Sequence, residues 1–145
     1  MNHSPRATRA AIQRLLVELI EADASSLLEA ELVYHADDPY AVTAVFSSEP
    51  AAVKWRFGRD LLIEGVDRPT GLGDVHLRPC LDSHGRAVVI IELHSRGQEA
   101  LIQARASDLR AFVDRITELV PPGSESQHLD VDAAVAALLV AERSD

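Results

Sequence analysis

The chain has 145 residues, 47% hydrophobic and 26% charged, a composition that fits one globular domain, 1–145, burying about 68–70% of its unfolded surface. Fourteen basic residues against 23 acidic give a formal charge of −9, which disfavours nucleic acid and anionic membranes, since both are held largely through Lys and Arg. The single Cys80 excludes an internal disulfide, and no run approaches the roughly 18 apolar residues a membrane helix needs.

In chain order, residues 1–11 read as an N-terminal extension, locally basic through Arg6, Arg9 and the following Arg14. Ser4-Pro5 predicts a helix start, because Ser caps and Pro suits the first helical position. Over Ile12–Ile20 both helix and strand stay open: Leu15, Leu16, Leu19 and Ile20 fit one helical face, which favours a short helix leading into a strand over an opening β-strand. Leu15–Ile20, broken by Glu18, is too short for the apolar core of a secretory signal. Leu28, Ala30, Leu32 and Tyr34 alternate with polar residues and predict a strand. Asp37-Asp38-Pro39 turns the chain into a second strand through Tyr40, Val42, Ala44 and Phe46. Val53, Trp55 and Phe57 then mark a third, and connections this short make the three antiparallel.

Leu61–Val66 and Val75–Cys80 read as further strands, and Asp82-Ser83-His84-Gly85 as a hairpin turn into Val88–Leu93. That stretch is apolar on both faces. It is therefore either a covered central strand or, through Val88 and Ile90, part of a subunit interface. After Arg96-Gly97, Ala100–Ala104 reads as another strand. Ser107 is placed as the cap of a helix carrying Leu109, Phe112, Val113, Ile116, Leu119 and Val120 on one stripe, which Pro121-Pro122-Gly123 ends. Asp130 caps a second C-terminal helix. About seven strands followed by two helices make an α+β protein, a curved antiparallel sheet or barrel with flanking helices.

Reactive constellations are sparse. His76, Cys80 and His84 stand four apart, with His94 on the neighbouring strand, but the spacing lacks the tight pairs of structural zinc sites, so these read as incidental hairpin histidines and no cofactor is expected. Cys80 has no electropositive setting to activate it and reads as a structural thiol. Thr70-Gly71-Leu72-Gly73 lacks phosphate-loop spacing and context. It reads as an exposed turn, the kind of tip that often carries recognition. Arg59-Asp60 reads either as a surface pair worth below about 1 kcal/mol or equally as a pair that orients the loop after Gly65, and Trp55 as a core residue of the meander. No catalytic group is assigned.

One run is more specific than the composition. Asp38-Pro39-Tyr40-Ala41-Val42, Trp55-Arg56-Phe57-Gly58-Arg59-Asp60-Leu61-Leu62, Glu64-Gly65-Val66 and Arg68-Pro69-Thr70-Gly71-Leu72-Gly73-Asp74-Val75 stand in an order that resembles the SsgA-like sporulation and cell division proteins of actinomycetes. The likeness extends over roughly 27–139 and includes Gln98-Glu99-Ala100-Leu101 and Val120-Pro121-Pro122-Gly123-Ser124-Glu125. Arg78 stands where many relatives carry Trp, and Gly58 where they carry Ala. The resemblance implies a whirly-like β-barrel, a trimeric assembly and a non-enzymatic adaptor in the cytoplasm at the septum. Such an adaptor recruits division proteins such as the tubulin-like GTPase FtsZ or other SsgA-like proteins. Asp38, Tyr40, Arg59, Asp60, Arg68, Pro69, Gly71, Gly73 and Asp74 are then the candidate docking residues. The alternative is a single-stranded nucleic-acid module, which whirly-type barrels elsewhere provide and which the acidic charge disfavours.

Overall fold

A computed structural model describes residues 9–48 and 50–128. Eight strands form one antiparallel sheet: β1 (Ala10–Ile20), β2 (Ser25–His35), β3 (Ala41–Ser48), β4 (Ala51–Gly58), β5 (Thr70–Leu72), β6 (Val75–Leu81), β7 (Ala87–Ser95) and β8 (Gln98–Arg105). Two α-helices, α1 (Arg59–Gly65) and α2 (Ala106–Leu119), and a short 3-10 turn over Glu125–Gln127 complete the described chain. The strand order is β4-β3-β2-β1-β8-β7-β6-β5. It consists of two four-stranded meanders joined through β1 and β8.

The connection between the edge strands β4 and β5 shows why the sheet must curve. Laid flat, seven strand spacings would separate them by about 34 Å. Helix α1 advances about 10 Å and the four residues after it at most about 14 Å. The sheet therefore curls until α1 reaches across, and α1 packs on β4, β5 and β6.

The concave face holds the core, where Leu28, Leu32, Tyr34, Val42, Ala44, Leu77, Val89, Ile91 and Ile102 meet the α2 stripe of Leu109, Phe112 and Ile116. Period-two burial along β2 and β3 follows the alternation of their sequences. The β1–β2 pairing runs the whole length of both strands, whereas β1 meets β8 only over Glu18–Ile20. Below Glu18 the two meanders part, and α2 fills the wedge. Arg115 Nη1 donates to Ile12 O at 2.9 Å and Arg9 Nη2 to Leu119 O at 3.0 Å, while Gln13 Nε2 donates to Asp108 O at 2.7 Å. Arg115 thus takes a carbonyl of the strand edge that β8 leaves unpaired, while Arg9 and Gln13 reach across to carbonyls of α2.

Several expectations are corrected. Residues Ile12–Ile20 are strand throughout, because β2 pairs with every one of them and overrides their local helical face. Leu61–Val66 is helix rather than strand: Leu61, Leu62, Gly65 and Val66 are all buried, a stripe that only the 3.6-residue period presents to one side. Thr70–Leu72, read as a turn, is a short strand paired with β6, which brings the count to eight. Helix α2 starts at Ala106 with no side-chain cap, so Ser107 is not its cap. Val88 and Ile90 are 2% and 8% exposed, so in the single chain they belong to a covered strand and offer no free apolar patch. The short helix expected over Ala7–Ala11 after Ser4-Pro5 gives way to strand where it is described, since Ala10 and Ala11 belong to β1; the helix expected from Asp130 lies outside the described residues.

Candidate functional site

The residues of the 38–74 run gather around the two ends of α1. Before it, the β2–β3 turn is fixed from inside: Pro39 is fully buried, and its carbonyl accepts a 3.0 Å hydrogen bond from Tyr34 Oη. That anchor turns Asp38 and Tyr40 outward. Asp38 receives both hydrogen bonds of its pair from Arg56 Nη2, at 2.8 and 3.0 Å, and Tyr40 stays half exposed. The Arg59 N–H donates to Tyr40 O at 2.8 Å, tying the turn to the first residue of α1, and Asp60 faces solvent beside it. Beyond α1, Arg68 and Pro69 lead into the β5–β6 hairpin, whose tip carries Gly71, Leu72, Gly73 and Asp74, all exposed. Leu72 is 76% exposed, and Gly73 has φ +63°, a conformation glycine adopts without strain.

Arg59 is the exception. It is 1% exposed and has no pairing with Asp60; its side chain runs into the core. Its Nη1 donates to Tyr34 Oη at 2.9 Å and to Ile116 O at 3.2 Å, and Nη2 lies 3.5 Å from Glu125 Oε2. At that distance the Glu125 contact is one of charge rather than a hydrogen bond, and Nε and Nη2 have no hydrogen-bond partner among the described residues. The guanidinium also stands 5.5 Å from the Tyr34 ring centroid. Burial pushes the Tyr34 hydroxyl above its ordinary value, against the opposing pull of Arg59. Glu125 is held below the usual carboxylate value, first by its own backbone N–H, then by that of Gly123 and by the Arg59 charge. Arg59 thus fastens β2, α2 and the Glu125 turn to one point under the surface turns. Its inward position was readable in principle, because Val53, Trp55, Phe57 and Arg59 continue one alternation. Tyr34 lies on the Leu28–Tyr34 alternation in the same way, whereas Glu125 carries no comparable signal.

The family model described as "Streptomyces sporulation and cell division protein, SsgA" matches residues 28–125. This chain belongs to the SsgA family. It is 45% identical over 127 residues to the sporulation-specific cell division protein SsgB of Streptomyces coelicolor, covering 86% of this chain and 92% of that one. It is 49% identical over 111 residues to SsgB of Kineococcus radiotolerans, covering 76% and 67%. Two solved structures share the fold. The SsgA-like sporulation-specific cell division protein of Thermobifida fusca superposes with a TM-score of 0.82 at 37% identity, over 92% of this chain and 98% of that one. An SsgB structure, reported with mutations that correlate with longitudinal division during sporulation of Streptomyces coelicolor, gives 0.80 at 41% identity, over 87% and 100%. In this SsgA-family chain, then, the run that carries the resemblance separates into a buried clamp, Arg59, and an exposed rim. No helix among the described residues is long and apolar enough to cross a membrane.

Proposed function

We propose that this SsgA-family protein is a non-enzymatic adaptor of sporulation-specific cell division that recruits division proteins, FtsZ among them, to the septum. The observation that carries the reading is the exposed rim around α1. Asp38 and Tyr40 stand outward on a turn anchored by buried Pro39 and Arg59, Asp60 faces solvent at the start of α1, and Arg68, Pro69, Gly71, Gly73 and Asp74 are exposed along the β5–β6 hairpin. Rigid exposed turns suit recognition, because little ordering entropy remains to be lost on docking. The protein works in the cytoplasm as a self-associated assembly, a trimer in the family's manner, with the rim repeated on each copy.

The test is a binding titration of purified FtsZ against the full chain and against Tyr40→Ala, Asp60→Lys and Arg68→Glu. The reading expects wild-type binding and a loss of at least about tenfold in the variants, with thermal stability unchanged. Absence of FtsZ and every other division protein from pull-downs out of an actinomycete lysate would overturn it. So would sub-micromolar binding of single-stranded oligonucleotide with a steep salt dependence.

A further inference from the structure

On the convex face, at the end of the β6–β7–β8 meander, four ionisable side chains converge from three strands. Glu92 and His94 stand two apart on β7 and so share a face. Glu99 of β8 is the direct cross-strand partner of His94, and His76 of β6 is that of Glu92. Ligand atoms of Glu92, His94 and Glu99 all lie within 4.8 Å of one another. We propose that Glu92, His94 and Glu99 form a site for a divalent transition metal of the Zn2+ class, a role separate from the docking rim.

The three side chains meet as loose ion pairs with room between them. His94 Nε2 is 3.5 Å from Glu99 Oε2 and 4.0 Å from Glu92 Oε1. Both exceed a hydrogen bond to a carboxylate, which is about 2.7–2.9 Å. Ligand atoms bound to one tetrahedral ion at 2.0–2.2 Å stand about 3.4 Å apart; the His94–Glu99 separation is close to that edge, and Glu92 has to move inward to reach it. The surroundings hold the donors in place. Arg78 Nε is 3.5 Å from Glu92 Oε2, so it restrains the oxygen turned away from His94 and leaves Oε1 to bind. His76 packs edge-on against His94 with centroids 5.7 Å apart at 86°, which limits rotation of the ligating ring. Gly71 matters to this arrangement, because a Cβ there would collide with the Nδ1 edge of His76. The His94 N–H donates to Asp74 O at 2.9 Å, which fixes the strand end. One imidazole and two carboxylates suit Zn2+, with water completing the coordination, and a position open to solvent gives the ion a way in. Cys80 and His84 take no part. Cys80 sits opposite Val88, four residues from His76, and His84 lies in the hairpin turn.

The test is calorimetric titration of the chelator-treated full chain with ZnCl2 at pH 7. The expected result is one Zn2+ per chain, weakened at least about tenfold by His94→Ala and by Glu99→Gln, and unchanged by a combined His35→Ala, His84→Ala control. Glu99→Gln preserves side-chain shape, and circular dichroism of each variant reports the fold. The proposal is overturned if wild-type protein takes up no Zn2+. It is equally overturned if both ligand variants bind as tightly as wild type, or if Mg2+ binds as well as Zn2+, since that is the behaviour of a diffuse acidic surface.

Discussion

Arg59 concentrates the tension between burial and charge in this molecule. A buried guanidinium with two nitrogens lacking hydrogen-bond partners among the described residues is costly, yet its neighbours are partly satisfied without it. Tyr34 Oη keeps its bond to Pro39 O, and Ile116 O still accepts from the Val120 N–H. The volume of the side chain therefore matters more than its charge. Arg59→Ala is expected to lose about 3 kcal/mol in urea denaturation, through the space it leaves. Arg59→Met should recover about 2 kcal/mol of that by refilling the space; equal losses in the two variants would assign the effect to charge instead. Glu125 gives the clamp a pH dependence. Its carboxyl is held below the ordinary 4.5, so as pH falls the unfolded chain takes up the proton first. The contribution is then present above about pH 4.5 and lost as pH drops through the lower, folded value. Melting temperature measured from pH 6 to pH 3 should accordingly fall less steeply in Glu125→Gln than in wild type.

Three elements depend on particular local features. Helix α1 lies so close to β6 that a Cβ on Gly65 would sit 2.6 Å from Leu77 Cβ. Gly65→Ala therefore has to move the helix, and a loss of about 1–3 kcal/mol is expected from chemical denaturation. In the β7–β8 hairpin, Arg96 and Gly97 have φ +53° and +78°, the paired positive values of a type I′ turn. A side chain at the first position carries a left-handed penalty of roughly 1–2 kcal/mol. Arg96→Gly is expected to raise stability by up to about 1 kcal/mol, the remainder being offset by the greater freedom of glycine in the unfolded chain. The free edge of β1 relies on α2 side chains. Arg115→Ala removes the donor to Ile12 O, and the expected cost is about 1 kcal/mol. Amide hydrogen exchange of the wild type and the variant, compared over Ala11–Val17, would locate that loss at the wedge.

Over the whole molecule, buried anchors and the proposed docking residues lie on opposite sides of the same segments. Tyr34, Pro39 and Arg59 hold the β2–β3 turn and the start of α1 from within, and Tyr40, Asp60 and Leu72 face outward. Surface substitutions away from caps and packed contacts usually stay within about ±0.5 kcal/mol. Tyr40→Ser together with Leu72→Ser should therefore leave the melting temperature nearly unchanged while weakening capture of a division partner. A large loss of stability in that double variant would place these residues in the scaffold rather than the rim.

Much of this architecture could be read along the chain. Alternation between Leu28 and Tyr34 and between Tyr40 and Phe46 specifies strands by itself, because side chains on a strand change face at every residue, and the short run Val88–Leu93, apolar on both faces, reads as a strand covered on both sides. The stripe from Leu109 to Val120 specifies a helix in the same way, and the ordered run from Asp38 to Val75 specifies the family. Only the tertiary structure decided the rest. Ile12–Ile20 carries a helical pattern, but an eleven-residue pairing with β2 outweighs it, and propensity is a weak prior against such pairing. Arg59 continues the alternation of Val53, Trp55 and Phe57, but only the closure of α2 and the Glu125 turn buries its charge. His76 and His94 are 18 positions apart, and strand register alone brings them to one face together with Glu92 and Glu99. Periodicity is a property of neighbours in sequence, whereas burial, ion pairing and ligand geometry arise between segments that meet only once the sheet has curled.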